Sequence, residues 1–248
     1  MRGLIHELLL AFQFMTRIPI RGLPHRPGAL ADAAKFFPVV GLVIGMIAAG
    51  IHRLLVPYVP RPILALLLLS FFVVITGALH EDGLADSADG LVGGWSKEQA
   101  LEIMRDSRIG TYGGIAIALS LLWRFVLIRN IAPARLPGIL ICAHVLCRWT
   151  ALPLSFFLPY ARPEDGLGGY IAGRLPLSSF IWGTVFAVLS VIAVLRRESL
   201  CAWLTAIALT VTSAFYFRRR IQGVTGDCLG AVNQVTEIAI YMLGVLHS

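Results

Sequence analysis

From Pro62 to Leu79 the chain runs for eighteen residues without a charged side chain. As a helix that stretch would rise about 27 Å, close to the ~30 Å hydrocarbon core of a bilayer. Six more stretches share its character: Phe37–Val56, Gly113–Ile128, Leu136–Leu158, Phe180–Leu195, Leu200–Phe217 and Leu229–Leu246. In lipid every backbone polar group must be satisfied internally, so spans of this kind are helical. The pattern predicts an all-α, polytopic membrane bundle of about seven transmembrane helices (six to eight), folded as one domain over residues 1–248. Composition agrees. Apolar residues make up 57% of the chain and charged residues 14%, where a soluble domain carries roughly 25% charged residues. A soluble globule of this size cannot cover so much apolar surface. Cytosolic enzymes, disordered chains and nucleic-acid-binding domains are therefore excluded.

The net charge of +7 fits the same picture. Lys and Arg flank membrane spans and concentrate in cytoplasmic loops, so no nucleic-acid partner is needed to explain them. With the N-terminus placed inside, thirteen Lys and Arg fall in inside segments and six in outside loops, while Arg124 and Arg148 lie within spans. The bias favours N-terminus in and C-terminus out. The first ten residues read as an amphipathic helix at the interface rather than a signal peptide, because His6 and Glu7 interrupt the apolar run. The four cysteines form no C-x-x-C pair, so neither a zinc site nor a redox motif is indicated. Gly41-x-x-x-Gly45 is a close-packing signal between helices.

Acidic residues are distributed unevenly. Seven of the fourteen lie between His80 and Tyr112: Glu81, Asp82, Asp86, Asp89, Glu98, Glu102 and Asp106. Asp82, Asp86 and Asp89 are spaced i, i+4, i+7, which puts them within about 60° of one another on a helix. Like charges so placed repel unless a cation sits between them. Hard carboxylate oxygens suit Mg²⁺, Mn²⁺ or Ca²⁺. Gly83 and Gly90 would let a phosphate ligand approach the backbone. A solvated polar helix face is the bland alternative, but the cluster begins where a span ends, where ionisable groups are more often functional.

Two further segments carry chemistry. Met104-Arg105-Asp106-Ser107-Arg108-Ile109-Gly110 sets two arginines around a carboxylate and ends in glycine, a composition suited to gripping phosphate; anchoring of the next span explains it equally well. Thr225-Gly226-Asp227 opens the last stretch, whose residues Gly230, Asn233, Gln234, Glu237 and Tyr241 form a polar stripe. Glu237 within a span needs a cation, water or protein partner. His144 and Arg148, at i and i+4, pose the same question.

At these residues the chain resembles the cobalamin synthase family, whose members are adenosylcobinamide-GDP ribazoletransferases. The matching pieces include Phe14-x-Thr16-Arg17-Ile18-Pro19, Phe37-Pro38-Val39-Val40-Gly41, His80-x-Asp82-Gly83-Leu84-Ala85-Asp86-x-x-Asp89-Gly90, Met104 to Gly114, Glu164-x-Gly166-Leu167-Gly168 and Thr225-Gly226-Asp227-x-Leu229-Gly230-Ala231. Gln234 stands where some relatives have Glu. The resemblance implies a bacterial cytoplasmic (inner) membrane enzyme that joins adenosylcobinamide-GDP to α-ribazole, or to α-ribazole 5′-phosphate, releasing GMP with Mg²⁺ as cofactor. With that chemistry, Asp82, Asp86 and Asp89 are the expected metal ligands, with Glu81, Asp106 and Glu237 as further candidates. Arg105 and Arg108 are the expected phosphate contacts, supplemented by Gly83, Gly110, Arg148, Thr225 and Gly226. Asp106, Asp227 or His80 would accept the attacking hydroxyl's proton; the sequence does not rank them. The commonest assembly symmetry allows a homodimer.

Two other readings compete. A CDP-alcohol phosphotransferase shares the Asp82-Gly83 start, but Asp86 stands where that motif has Arg and its second half is absent. A divalent-cation transporter would spread its acids through several spans instead of crowding them at one edge.

Overall fold

The computed structural model describes residues 2–23, 28–162 and 171–246. The Glu164–Gly168 match lies outside them. Twelve α-helices make up the described chain: α1 (Arg2–Met15), α2 (Ala29–Ala33), α3 (Phe37–Leu55), α4 (Arg61–Thr76), α5 (Leu79–Gly93), α6 (Lys97–Ile103), α7 (Thr111–Asn130), α8 (Leu136–Trp149), α9 (Ala151–Phe157), α10 (Leu177–Leu195), α11 (Ser199–Ile221) and α12 (Gly226–Leu246). Proline stands in the first turn of α3, α4 and α8, where its fixed φ suits the helix and its missing N–H costs nothing. The all-α expectation is met.

Five helical segments are long and apolar enough to cross a membrane, and the bent pair α4–α5 adds a sixth. One of the five, Leu177–Ile221, has 45 residues, about 68 Å as a straight helix and twice a bilayer core. It folds back on itself instead. Near one end Phe180 stacks on Phe156 of α9 with ring centroids 5.0 Å apart. Near the other, Phe217 and Ile221 share an apolar cluster with Leu154 and Leu158 from α9 and its end. A seven-residue helix cannot touch both ends of a 68 Å rod. The reversal falls at Arg196, whose backbone takes φ 50° and ψ −113°. Counted with α10 and α11 as two crossings, the bundle has α3, α4, α7, α8–α9, α10, α11 and α12, which accounts for all seven expected spans.

The centre of the bundle is the pair α3 and α8. A Cβ on Gly45 would stand 2.6 Å from the Cα of Ile141, and one on Gly41 would overlap the carbonyl of His144. The Gly41–Gly45 motif thus does what its spacing implied. Helix α1 is too short to cross. It buries Ala11 and Met15 while exposing Leu4 and Ile5, and it is pinned to the start of α3 by the Phe14–Phe37 stack and a 2.7 Å Lys35–Glu7 ion pair.

The uncharged stretch that began at Pro62 ends sooner than expected. Helix α4 stops at Thr76, and Gly77 and Ala78 both adopt left-handed backbone, with φ 64° and 59°. A side chain on Gly77 would overlap Arg17. The turn swings α5 through 85° from α4. Helix α5 therefore does not continue the span. It lies across the bundle end, against α12 and α7, at the same end as α9 and the termini of α10 and α11 that pack on it.

A Gly45→Leu variant should melt lower than wild type in detergent by an amount corresponding to roughly 1–3 kcal/mol of overpacking. Gly50→Leu, whose new Cβ meets open space, should melt within a degree or two of wild type.

Candidate active site

Helices α5 and α12 cross almost backbone to backbone. A Cβ on Gly83 would stand 2.9 Å from the carbonyl oxygen of Asp227 and 3.2 Å from the Cα of Gly230. The absent side chain at Gly83 thus admits the neighbouring helix, not the phosphate expected from sequence. Gly90 gives way in the same manner to Ala100 of α6, and Gly110 to the Asp89 carboxylate. This crossing brings Asp82 and Asp86 of α5 to Asp227, at the first turn of α12.

Asp227 is held from two sides. Arg162 Nη2 donates to its Oδ2 at 2.7 Å. Thr225 Oγ1 lies 3.2 Å from the same oxygen and accepts from the Cys228 amide at 3.2 Å. Thr225 is fully buried, so it caps α12 and orients Asp227 rather than facing a phosphate. Gly226, the first residue of α12, lines a cavity together with Asp82, Asp227, His80 and Arg162. Among the described residues no hydrogen-bond donor engages the Asp82 or Asp86 carboxylates. Burial first, and then the charges of Asp227, Asp82 and Asp89 against the opposing Arg162, push the Asp86 carboxyl up to about 7. Two carboxylates without donors and a third opposite form a hard-oxygen set of the kind that Mg²⁺ completes with water and phosphate. His80 is buried beside them, and burial together with the positive charges of Arg148 and Arg124 lowers its pKa well below the ordinary value.

The other expected ligands are committed elsewhere. Both Asp89 oxygens accept backbone hydrogen bonds, from Gly110 at 2.7 Å and Gly113 at 2.9 Å. Asp89 therefore caps the N-terminus of α7, where a carboxylate is favoured by the unsatisfied amides. Asp106 forms a two-pronged pair with Arg108, closing at 2.7 Å, on a side chain that is 88% exposed. Hydrogen bonds from Arg108 hold the Asp106 carboxyl down to about 2, which makes it a poor proton acceptor at neutral pH. Arg105 lies in a separate groove that also contains Arg162.

Glu81 points away from the cavity, into the bundle. It accepts from Arg124 Nη2 at 2.9 Å, and Glu237 lies 3.7 Å from Nη1 of the same guanidinium. Gln234 joins them, donating to Glu81 at 3.4 Å and accepting from Ser120 at 3.0 Å. Glu81 and Glu237 thus face a buried cation, Arg124, in the interior, and Glu237 also lies with His144 and Cys147 in a group whose ligand atoms fall within 4.8 Å of one another. Arg148 does not line the cavity either. Its Nη1 lies 3.0 Å from His144 Nδ1 and within reach of the His144 carbonyl and Cys147 Sγ. Its side chain is a structural cation in the interior rather than a phosphate contact.

Sequence reasoning missed Arg162 as a site residue, counting it only toward topology, and gave Arg124 no chemical role. A signal for Arg124 existed: an intramembrane arginine demands buried acids, and Glu237 was one. Nothing local marks Arg162, whose partner lies 65 residues away.

Removing the Arg124 charge while keeping its bulk, as in Arg124→Met, leaves Glu81 and Glu237 facing each other in the interior. The expected loss is about 3–5 kcal/mol, seen as a large drop in melting temperature. Adding Glu81→Gln and Glu237→Gln should recover much of it.

Residues 7–245 match the family model described as cobalamin-5-phosphate synthase. A protein of Pseudomonas paraeruginosa named adenosylcobinamide-GDP ribazoletransferase is 39% identical, covering 97% of this chain and 98% of its own. Similar proteins of the same name occur in Polaromonas, at 36% identity over 96% and 95% of the two chains, and in Vibrio cholerae, at 36% over 98% and 94%. No solved structure matches the chain. A family model spanning nearly every residue, together with relatives this alike from end to end, makes the chain a member of the cobalamin-5-phosphate synthase family.

Proposed function

We propose that the protein joins α-ribazole, or its 5′-phosphate, to adenosylcobinamide-GDP and releases GMP. Family membership supports the substrates. The observation that carries the chemistry is the meeting of Asp82, Asp227 and Arg162 at one cavity on the end of a membrane bundle, with Asp86 one turn on from Asp82 and within electrostatic reach of all three. A ribose hydroxyl oxygen forms a bond to the phosphorus nearer the cobinamide. The bond from that phosphorus to the GMP oxygen breaks, and GMP leaves with the electron pair. The hydroxyl proton passes to a carboxylate.

Such a transfer needs positioning and charge neutralisation more than covalent help. Arg162 and Arg105 neutralise phosphate oxygens. Asp82 and Asp86 would hold Mg²⁺, leaving Asp227 opposite them for the proton. Bound there, Mg²⁺ would supply Lewis-acid stabilisation of the diphosphate and of the leaving group. Asp227 accepts the proton: it is aimed at the cavity by Arg162 and Thr225, whereas Asp106 is locked to Arg108. The apolar walls of the cavity exclude competing water. The aspartate-bearing end of the bundle faces the cytoplasm of a bacterial inner membrane, since thirteen of the 21 Lys and Arg fall in the segments read from sequence as inside. This orientation exposes the site to water-soluble substrates.

Purified protein in detergent, given both substrates and Mg²⁺, should release GMP together with a corrinoid product. EDTA should abolish release, and Asp86→Ala should lower the rate by about 10²-fold or more. Full activity in both Asp82→Asn and Asp86→Asn at every Mg²⁺ concentration would remove the metal assignment.

A pH dependence follows from Asp86. Its raised pKa means that the folded state binds a proton more tightly than the unfolded chain. The metal-free protein should therefore lose stability as pH rises from about 4, the ordinary carboxyl value, through about 7. Mg²⁺ competes with that proton. Its stabilising shift in melting temperature should be larger at pH 8 than at pH 6, and Asp86→Asn should flatten the difference.

A further inference from the structure

The cavity beside the aspartates is lined by two unlike kinds of residue. Its volume is about 280 Å³. Phe14, Met15, Phe37, Leu79 and Ile171 supply apolar lining, and Asp82, Asp227 and Arg162 supply charged lining. Beyond Arg162 opens a second and wider recess of about 780 Å³, lined by Lys97, Glu98, Glu102, Arg105 and Tyr160. Among the described residues Arg162 alone borders both. Its Nη2 is bound to Asp227, while its Nε is buried without a hydrogen-bond partner. A buried guanidinium N–H left open between two cavities calls for an acceptor, and an anionic oxygen is the acceptor that matches its charge.

We infer that Arg162 divides the two substrates, with the aromatic base of the ribazole acceptor in the inner cavity and the guanosine diphosphate of the donor in the outer recess. This rests on the proposed function. Size and chemistry assign the sides. The acceptor's fused-ring base is flat and apolar, and Phe14, Phe37 and Ile171 give it the walls such rings bind to. Its ribose then points to Asp82 and Asp227, where the hydroxyl must react. A corrin macrocycle is far too large for 280 Å³ and stays outside the bundle. The outer recess offers what a guanine nucleotide requires. Lys97, Arg105 and Arg162 meet the diphosphate. Glu98 and Glu102 are carboxylates able to accept from the N1–H and N2–H donors of guanine. The bridging phosphate falls at Arg162, within reach of the acceptor's ribose.

The test is a crossed pattern of Michaelis constants. Ala151 lines the inner cavity, and Ala151→Leu fills part of it. This variant should raise KM for α-ribazole about tenfold and leave KM for adenosylcobinamide-GDP within twofold. Glu102→Gln should do the reverse, raising the donor KM about tenfold and sparing the acceptor. Phe14→Ala, which removes an aromatic wall, supplies the same arm if Ala151→Leu does not fold. A raised donor KM in the inner-cavity variants, or equal rises of both constants in every variant, would overturn the division. Equilibrium dialysis of free GDP separates this from failure of the function itself. Wild type that binds GDP, with weakening in Glu102→Gln alone, supports the outer assignment whatever the turnover. Wild type that releases no GMP from the substrate pair overturns the proposed reaction instead.

Discussion

One guanidinium group holds the aspartate-bearing end of this bundle in register. Arg124 is fully buried, and in an interior without water its charge must be met by protein. Glu81 of α5 and Glu237 of α12 meet it, so three helices are joined at a single point beneath the cavity. Glu81 and Asp82 are neighbours about 100° apart around α5. Fixing Glu81 against Arg124 therefore turns Asp82 toward the cavity that Asp227 also lines. The glycine crossing at Gly83 and Gly230 then sets how close the two helices lie. Electrostatics chooses the rotation of α5 and small residues choose its distance, and the carboxylate cluster is the result of both.

Much of this was legible in the residues, for identifiable reasons. Span number and helix type follow from a solvent that permits few alternatives. Gly41 and Gly45 were readable because a packing motif at i, i+4 acts within one face of one helix. The helical spacing of Asp82 and Asp86 was readable on the same ground, and the family followed from motif order along the whole chain. What escaped depends on distance in sequence. Asp89 looked like a third equivalent ligand because periodicity reports a shared face and not what each side chain meets. The amides of Gly110 and Gly113 lie more than twenty residues on. Glu237 was recognised as costly inside a membrane, but its partner Arg124 lay on another helix, whereas Arg148 met His144 and Cys147 of its own helix. Arg162 had no local mark at all.

The right-angle turn at Gly77–Ala78 explains how a chain this apolar presents polar chemistry. A straight continuation of α4 would have carried Asp82 and Asp86 past the end of the bundle, away from α12. The bend instead lays α5 flat across the helix ends. There it packs on protein, and its first turn, Leu79 to Gly83, borders the cavity.

The cap that Asp89 places on α7 has a consequence for how such chains diverge. The aspartate block and the arginine–glycine block read as two separate signatures, yet one carboxylate binds the first to the second. Asp89 loses its purpose if the amides at 110 and 113 move, and neither glycine can gain a side chain while Asp89 remains. The two blocks are therefore one structural unit. In an ancestral lineage, change at position 89 and change at positions 110 and 113 should arrive together or not at all.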